Sequence, residues 1–202
     1  MIAQAEKTRV EEAIRAAETK TSGEIYCVIA QHASDYSLVP LAWAALIALM
    51  VPAPLIYLTL WPASAIYLVQ LLVFIIVAIA LSRRSIRFYL VPRRAKHERA
   101  HALAMRQFFA QGLHHTEQRT GVLIFASVAE RYAEIVADAG INSKVTPDVW
   151  DKAVAALIAG LKDGRAGDGF VAAVELCGAV LAEHFPPGAL NRDELPNKLV
   201  EI

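Results

Sequence analysis

Two histidines and a glutamate near the middle of the chain have the spacing of a zinc site. His97, Glu98 and His101 match the pattern H-E-x-x-H. On a helix this pattern places two imidazoles one turn apart, with a carboxylate beside them that can activate a metal-bound water. The pattern is typical of a zinc protease, provided that a third ligand and a suitable setting for the helix exist.

The surroundings of the motif argue against a protease. Ala104 and Gln107 stand where the longer H-E-x-x-H-x-x-G-x-x-H form requires its glycine and its third histidine. Glu117 is an alternative third ligand, but it follows His114-His115 in a polar loop instead of lying on a later helix. Nearby positive charge disfavours a divalent cation, and it comes from Arg93, Arg94, Lys96, Arg99 and Arg106. We therefore reject the zinc site and interpret the segment as a basic helix.

The composition is too apolar for an ordinary soluble domain of 202 residues, since 56% of the residues are hydrophobic. The excess is concentrated in residues 36–82, a run of 47 residues without Asp, Glu, Lys or Arg. One membrane crossing needs about 20 apolar residues, so the run predicts a transmembrane hairpin with spans near Leu38–Leu58 and Ala63–Leu81. We expect Pro52 and Pro54 to kink the first span. The alternative is a buried helical hairpin in the core of a soluble protein.

Basic residues follow the second span and predict its orientation. By the positive-inside rule this end of the hairpin faces the cytosol, and two crossings return the chain to the same side, so both termini are predicted to be cytosolic. The basic residues also suit anionic lipid headgroups. With 20 basic and 20 acidic residues in the whole chain, net charge gives no reason to expect nucleic acid. The basic set is Arg83, Arg84, Arg87, Arg93, Arg94, Lys96 and Arg99.

The two polar segments on either side of the hairpin are predicted to form one domain. The first provides only an amphipathic helix over residues 1–19 and a strand at residues 23–31, which cannot form a stable domain alone. The fold class predicted is α/β, with four helices flanking a small mixed sheet in two or three layers. In the second segment we predict a helix at 93–111, strands at Gly121–Ala126 and Tyr132–Asp138, and helices from Thr146 to Leu161 and from Asp168 to about His184.

The domain boundaries follow from these elements. Residues 1–36 and 97–185 are the two parts of the α/β domain, residues 37–82 the hairpin, residues 83–96 a basic juxtamembrane segment, and residues 186–202 a tail. We expect the tail to be mobile or docked as an extended strand. Cys27 and Cys177 lie in apolar runs and are interpreted as buried hydrophobic residues, with a single long-range disulfide left open.

Several short motifs follow one another along the two polar segments. They are Thr21-Ser22-Gly23 before a strand, Phe108-Phe109 and Gly112 in a helix, the strand that begins at Gly121, the charged turn Glu130-Arg131, the exit Asp138-Ala139-Gly140, and Gly167-Asp168-Gly169-Phe170 at a helix start. Their order resembles the TPM domain family, small α/β domains known from thylakoid photosystem repair proteins and bacterial envelope proteins. The resemblance covers residues 3–33 and about 97–184, and the hairpin interrupts it.

The resemblance implies weak phosphatase activity, divalent ions such as calcium, or the assembly and repair of membrane protein complexes. The family's acidic positions before the glycine strand read Gln118-Arg119-Thr120 here, so an amide, a cation and a hydroxyl replace carboxylates that a hard cation needs. Asp138 and Asp168 remain as possible metal ligands. Their alternative interpretations are a turn residue at a strand end and a helix N-cap.

These observations favour a bacterial integral membrane protein of the cytoplasmic membrane with a cytosolic TPM-like domain. We predict a non-enzymatic module that binds or organises a membrane protein partner. A weak metal-dependent phosphatase is the alternative, and the zinc protease is a more remote one. No cofactor is predicted for the leading hypothesis, and a divalent cation accompanies the alternative. The predicted working surface lies at the polar ends of the sheet, at Arg119, Thr120, Glu130, Arg131, Asp138 and Asp168.

Overall fold

A computed structural model describes residues 2–36, 38–83, 88–89, 91–187 and 194–202. The chain forms two compact units, one of Met1–Ala33 together with His97–Ile202 and the other of Ser34–Lys96. We call the first the split domain and the second the hairpin unit. Arg84 and Arg87 of the basic set, and residues 188–193 of the tail, lie outside the described residues.

The split domain contains a four-stranded mixed sheet, which confirms the predicted fold class. Its strands are β1 (Glu24–Ala30), β2 (Gly121–Ser127), β3 (Tyr132–Ala137) and β4 (Leu199–Glu201), in the order β3-β2-β1-β4. β1 is parallel to both β2 and β4, whereas β2 and β3 form an antiparallel hairpin.

Every residue of β1 and β2 is buried, because helices cover both faces of the sheet. The helices in chain order are α1 (Gln4–Glu18), α2 (Leu38–Met50), α3 (Pro52–Leu58), α4 (Ala63–Leu81), α5 (Arg93–Ala110), α6 (Ala139–Asn142), α7 (Asp151–Lys162) and α8 (Ala166–His184). Short 3-10 helices occupy Leu113–His115 and Pro147–Trp150.

Alternate residues of the central strands enter two separate hydrophobic layers. Ile25, Cys27 and Ile29 of β1 pack in a layer with α1, α7 and α8. Tyr26 and Val28 enter the opposite layer with α5. The period of two residues in a strand thus produces a three-layer domain.

α5 contacts the sheet through small residues. Its buried positions are Ala100, Ala104 and Phe108, which recur at four-residue spacing. Phe109, which the sequence suggests as a main apolar position, is instead 54% exposed. The small alanine side chains leave room for the aromatic rings that the sheet contributes to this layer, Tyr26 and Phe125.

The last residues of the C-terminal tail, Leu199–Glu201, are docked as an extended strand, the second of the two predicted outcomes. Beside the strand β4, the Gln31 amide donates to the carbonyl oxygen of Ile202 at 2.9 Å, and the Ile202 amide donates to Ile29 at 3.0 Å. Glu201 accepts a hydrogen bond from Gln31 (2.9 Å) and lies 3.2 Å from the Lys7 ammonium. Burial raises the pKa of Glu201, but the hydrogen bonds from Lys7 and Gln31, together with nearby positive charge such as that of Lys7, lower the pKa overall.

The start of α8 differs from the prediction. α8 begins at Ala166, with Arg165 at its N-cap position, so the interpretation of Asp168 as the N-cap is wrong. α7 and α8 pack closely near this start, because a Cβ atom on Gly160 would lie 2.6 Å from the Cα atom of Gly169. The two glycines let the helix backbones approach where any larger residue would separate them.

The hairpin unit contains α2, α3 and α4. The predicted kink in the first span is a break, since α2 ends at Met50 and α3 begins at Pro52, a residue that cannot donate to the preceding turn. α2 packs against α4, and its buried side chains include Ala44 and Ala48. Small residues at this spacing allow close helix contact in an apolar environment.

Candidate functional site

The H-E-x-x-H motif lies on α5 and faces β3. The His97 ring lies 5.1 Å from the ring of Tyr132, and Nδ1 of His101 lies 2.9 Å from Oε2 of Glu134. The Tyr132 hydroxyl donates to the same carboxylate oxygen at 2.9 Å. Burial, and then the charge of Glu134, raise the pKa of Tyr132. This cluster thus attaches α5 to the edge strand of the sheet.

The predicted working surface is divided between two ends of the sheet. Asp138 follows the end of β3 next to Gly121, where β2 begins, and Glu130 and Arg131 lie in the turn after Ser127, where β2 ends. A seven-residue strand separates these ends by about 20 Å. We call them the amino edge, with Arg119, Thr120 and Asp138, and the carboxyl edge, with Ser127, Glu130 and Arg131.

At the amino edge, side chains tie the start of β2 to its neighbours. The Thr120 hydroxyl donates to the Ser22 carbonyl oxygen at 2.9 Å, and the Thr120 amide donates to the Thr116 hydroxyl at 3.0 Å. Arg119 adopts a left-handed backbone conformation with φ of 55°. A Cβ atom on Gly140 would lie 2.5 Å from the Arg119 carbonyl oxygen, so this turn requires glycine at position 140.

Asp138 caps the short helix α6. Its Oδ1 atom accepts a hydrogen bond from the Ala139 amide at 2.7 Å, and the residue is 7% exposed. Its Oδ2 atom is buried and has no hydrogen-bond partner among the described residues. Asp138 is therefore a helix cap with one carboxylate oxygen still available.

Two further carboxylates at the amino edge were not singled out from the sequence. Glu18 accepts a hydrogen bond from the Ile25 amide at 2.8 Å, and Glu24 accepts one from the Leu195 amide at 3.3 Å. Both residues are buried. Their position, one at the end of a helix and one at the start of a strand, gives no sequence signal because acidic residues there are ordinarily exposed.

At the carboxyl edge, Glu130 closes the β2–β3 hairpin. Its Oε2 atom accepts hydrogen bonds from the Ser127 hydroxyl and from the Ala33 amide, the latter at 3.0 Å. Glu130 is only 5% exposed. Arg131, the next residue, has a left-handed φ of 52° and an exposed side chain. The turn therefore buries an acid and displays a base.

Asp168 lies in the first turn of α8 and is held in an ion-pair network. Its Oδ1 atom accepts a hydrogen bond from Arg9 at 2.8 Å, and its Oδ2 atom lies 3.9 Å from Arg165. Arg165 also pairs with Asp163 at 2.9 Å. Asp168 thus joins α1 to the α7–α8 connection, and both of its carboxylate oxygens are engaged.

A pocket of about 390 Å³ opens at the carboxyl edge. The C-terminal ends of β2 and α7 meet there. Of the six lining residues, only Arg131 belongs to the predicted working surface. In the sequence, the segment after Leu161 indicates only a helix end, so tertiary packing was needed to reveal the pocket. The lining residues are Ser127, Val128, Arg131, Ile158, Leu161 and Lys162.

Metal ligands do not converge in the described ranges: these contain no group of three or more His, Cys, Asp or Glu side chains that could hold a metal ion.

The two cysteines, Cys27 and Cys177, are buried and free. The interpretation of both cysteines as buried hydrophobic residues is therefore confirmed, and the two form no disulfide.

The fold and its two polar edges define a small three-layer α/β domain with a mixed sheet. The family model described as the TPM domain matches residues 79–180, and the chain belongs to this family. Its fold is similar to the NMR structure of the BA42 protein from the psychrophilic bacterium Bizionia argentinensis, with a TM-score of 0.63 and 22% identity over 100% of this chain and 96% of that one. No curated protein matches the chain.

Proposed function

We propose that the hairpin unit spans the bacterial cytoplasmic membrane and anchors the TPM domain on the cytosolic side. The observation that supports this most directly is the combination of length, hydropathy and exposure in two segments. Leu38–Leu58 has a mean hydropathy of 2.1 and is 17% buried along its most apolar stretch, and Ala63–Leu81 has a mean hydropathy of 2.7 and is 6% buried. A core helix of a soluble protein is mostly buried, whereas these side chains need an apolar solvent.

The distribution of aromatic and basic residues supports the orientation. Tyr57, Trp61 and Tyr67 surround the turn between the spans and are between 52% and 89% exposed, as is typical of rings at a membrane interface. Arg83 at the other end of the hairpin is exposed, and it begins the basic segment that favours the cytosolic side.

Single introduced cysteines test this topology in intact cells. In a Cys27→Ala, Cys177→Ala background, Leu60→Cys lies in the turn between the spans and Glu175→Cys lies on the exposed face of α8. We expect a membrane-impermeant maleimide to label Leu60→Cys directly and Glu175→Cys only after permeabilisation. Labelling of Glu175→Cys in intact cells, or release of the protein from membranes by carbonate, contradicts the proposal.

The TPM domain is proposed to act as a non-enzymatic module that binds a membrane protein partner. Its polar edges support this role because they combine rigid turns with displayed cations. Arg119 and Arg131 both follow tight turns, both have left-handed backbones, and both side chains are exposed. A charge held on a rigid turn loses little conformational entropy on binding.

Charge reversal at each edge tests the binding role. We expect Arg119→Asp or Arg131→Asp to reduce the recovery of co-purifying membrane proteins from detergent-solubilised native membranes by at least about tenfold, as for a buried charge pair at an interface. Lys152 is an exposed cation at the N-terminal end of α7 and belongs to neither edge, so Lys152→Asp is the matched control. If all three variants recover the same proteins as the wild type, neither edge is the binding surface.

One observation favours the alternative of a metal-dependent phosphohydrolase, namely the unpartnered Oδ2 atom of Asp138. A cation bound there requires further oxygen ligands. The turn that precedes β2 supplies Arg119 instead of an acid. Metal analysis of purified protein and turnover of a generic phosphoester test this alternative. If the leading proposal holds, the wild type and Asp138→Asn show no difference in metal content or phosphoester turnover. Loss of turnover in Asp138→Asn, with turnover retained in Asp168→Asn, shows that the protein is a phosphohydrolase.

A further inference from the structure

The pocket at the carboxyl edge combines an apolar wall with two cations. Val128, Ile158 and Leu161 provide the apolar lining, and Arg131 and Lys162 provide the charge. Val128 is 44% exposed, an unfavourable arrangement for an apolar side chain beside a pocket in water. The volume of about 390 Å³ lies in the range of small-molecule sites, roughly 300–1,000 Å³.

The two cations have no side-chain partner among the residues that the structure describes. Neither Arg131 nor Lys162 forms a side-chain ion pair or hydrogen bond with any residue in the described parts of the chain. Of the carboxylates nearest in sequence, Glu130 accepts hydrogen bonds from Ser127 and Ala33 through Oε2, and Asp163 pairs with Arg165.

Local positive charge beside low-dielectric walls attracts an anion more strongly than the same charge in open solvent. The Ser127 hydroxyl, which is buried, already donates to Glu130. Arg131 and Lys162 are therefore the groups left to bind an anionic headgroup. A guanidinium can do so through two parallel hydrogen bonds to a carboxylate or a phosphate.

The position of the pocket also favours a ligand. It lies next to Ser127, at the carboxyl end of β2, in the part of the sheet where β1 and β2 are parallel. Open α/β sheets bind ligands outside the carboxyl ends of their parallel strands. Asp138, where the phosphohydrolase alternative places its cation, lies at the opposite end of β2, so this pocket is a separate site.

We propose that the pocket binds a small organic anion, in which a carboxylate or phosphate group contacts Arg131 and Lys162 and an apolar group packs on Val128, Ile158 and Leu161. A bare inorganic ion leaves the apolar wall exposed, and an uncharged apolar molecule leaves the cations without a partner. The proposal requires neither membrane insertion nor a protein partner, so it goes beyond the function proposed above.

Calorimetric titration of the full chain in detergent tests the proposal, with detergent alone as the blank. Phenylphosphonate and phenylacetate are the probes for the two headgroups, and methylphosphonate and acetate are their counterparts without the ring. We expect saturable binding of at least one aromatic probe, at least about tenfold tighter than its methyl counterpart, because burying a ring contributes at least that factor.

Two charge-removing variants assign the binding to this pocket. Lys162→Gln and Arg131→Asn are each expected to weaken binding about tenfold, the effect of one charge-assisted hydrogen bond. Asparagine tolerates the left-handed backbone at position 131, so that variant keeps the turn. Lys152→Gln removes a charge from the other end of α7 and is expected to bind like the wild type, with equal thermal stability in all variants.

Three results overturn the proposal. The first is the absence of saturable heat with both aromatic probes. The second is equal affinity for each aromatic probe and its methyl counterpart, which shows a charge effect without a pocket. The third is an affinity of Lys162→Gln and Arg131→Asn equal to that of Lys152→Gln, which places the bound anion elsewhere on the protein.

Discussion

Glu130 is a buried acid whose hydrogen bonds hold neighbouring parts of the chain together. It receives hydrogen bonds from the Ser127 hydroxyl and the Ala33 amide. Both donors are thus satisfied at a place where the chain leaves β1 and where the β2–β3 hairpin turns. Neighbouring Arg131 depends on this arrangement, because Glu130 holds the turn that displays it.

Replacing Glu130 by alanine is therefore expected to destabilise the domain. Ser127 and Ala33 lose their acceptor, and each unsatisfied buried donor costs about 1–3 kcal/mol, so we expect the free energy of unfolding to fall by about 2–4 kcal/mol. Thermal unfolding followed by circular dichroism measures this change. Glu175→Ala, at an exposed position on α8, is the control, with an expected change within about 0.5 kcal/mol. Equal melting temperatures for the two variants contradict the role given to Glu130.

The two cysteine thiols are expected to react only when the domain opens. Burial raises the pKa of Cys177 to about 12. Burial, followed by the proximity of Cys177 and Glu18, raises the pKa of Cys27 well above its usual value. Because the thiolate is the reactive species, maleimide labelling at pH 7.5 should be at least about 100-fold slower in native protein than in denaturant, given a folded state that opens rarely.

The sign of the pH dependence follows from the raised pKa values. The folded state favours the protonated thiols, so their contribution to stability is complete below about pH 9 and decreases as the pH rises towards 12. Ala155→Cys, exposed on α7, is the positive control for labelling. If the native thiols react as fast as this introduced cysteine, the burial of Cys27 and Cys177 is disproved.

The packing of α7 on α8 depends on Gly160. In an isolated helix, alanine is more favourable than glycine by about 1 kcal/mol. In this domain a Cβ atom at position 160 would lie 2.6 Å from the Gly169 Cα atom and 2.8 Å from its nitrogen, which forces the two backbones apart.

Gly160→Ala is thus expected to lower the free energy of unfolding by about 1–3 kcal/mol, the usual cost of overpacking, despite its better helix propensity. Chemical denaturation of the full chain in detergent measures the change. Ala159→Ser, at the adjacent exposed position, is expected to change stability by less than about 0.5 kcal/mol. A stabilised Gly160→Ala variant contradicts the close approach of the helices.

We expect the split domain to fold without the hairpin unit between its two segments, since the two form separate compact units. Among the described residues, all members of the two hydrophobic layers lie before residue 34 or after residue 96. The rings of Tyr36 and Phe88, near the two ends of the segment between the parts of the domain, lie 5.8 Å apart. A flexible linker of ten residues spans about 17 Å on average, so we expect it to connect those ends.

Replacement of residues 36–91 by ten Gly and Ser residues is expected to give a monodisperse protein in aqueous buffer without detergent. We expect the protein to be monodisperse because the replacement removes the exposed apolar side chains and leaves both hydrophobic layers intact. Gel filtration with light scattering and a cooperative thermal transition measure the outcome. Aggregation or loss of the transition, in contrast to the full chain in detergent, indicates that the hairpin is part of the domain core.

Particular residues show how far the sequence leads at the level of secondary structure and family. The unbroken apolar runs of β1 and β2 predict strands covered on both faces, and Ala133, Ile135 and Ala137 predict the buried face of β3; the core confirms both. These features depend on residue periodicity, which is local. The TPM family and the α/β class follow from the same local patterns in their order along the chain.

The grouping of the working surface was decided by the tertiary structure. Glu130 and Asp138 are only eight positions apart in sequence, yet the hairpin of β2 and β3 places them at opposite ends of the sheet. The pocket joins Arg131 to Lys162 across more than 30 positions, and no periodicity predicts that contact. The partner of β4 was equally hidden, because a three-residue strand is stabilised by β1 and not by its own composition.

The sequence by itself determined which residues are apolar, at what spacing, and over what uninterrupted length, so it determined the elements and the family. Only the tertiary structure decided which polar ends meet, which acids are buried, and where a cavity remains. The physical reason is that periodicity acts over a few residues, whereas strand direction and helix packing bring together groups that are distant in the chain.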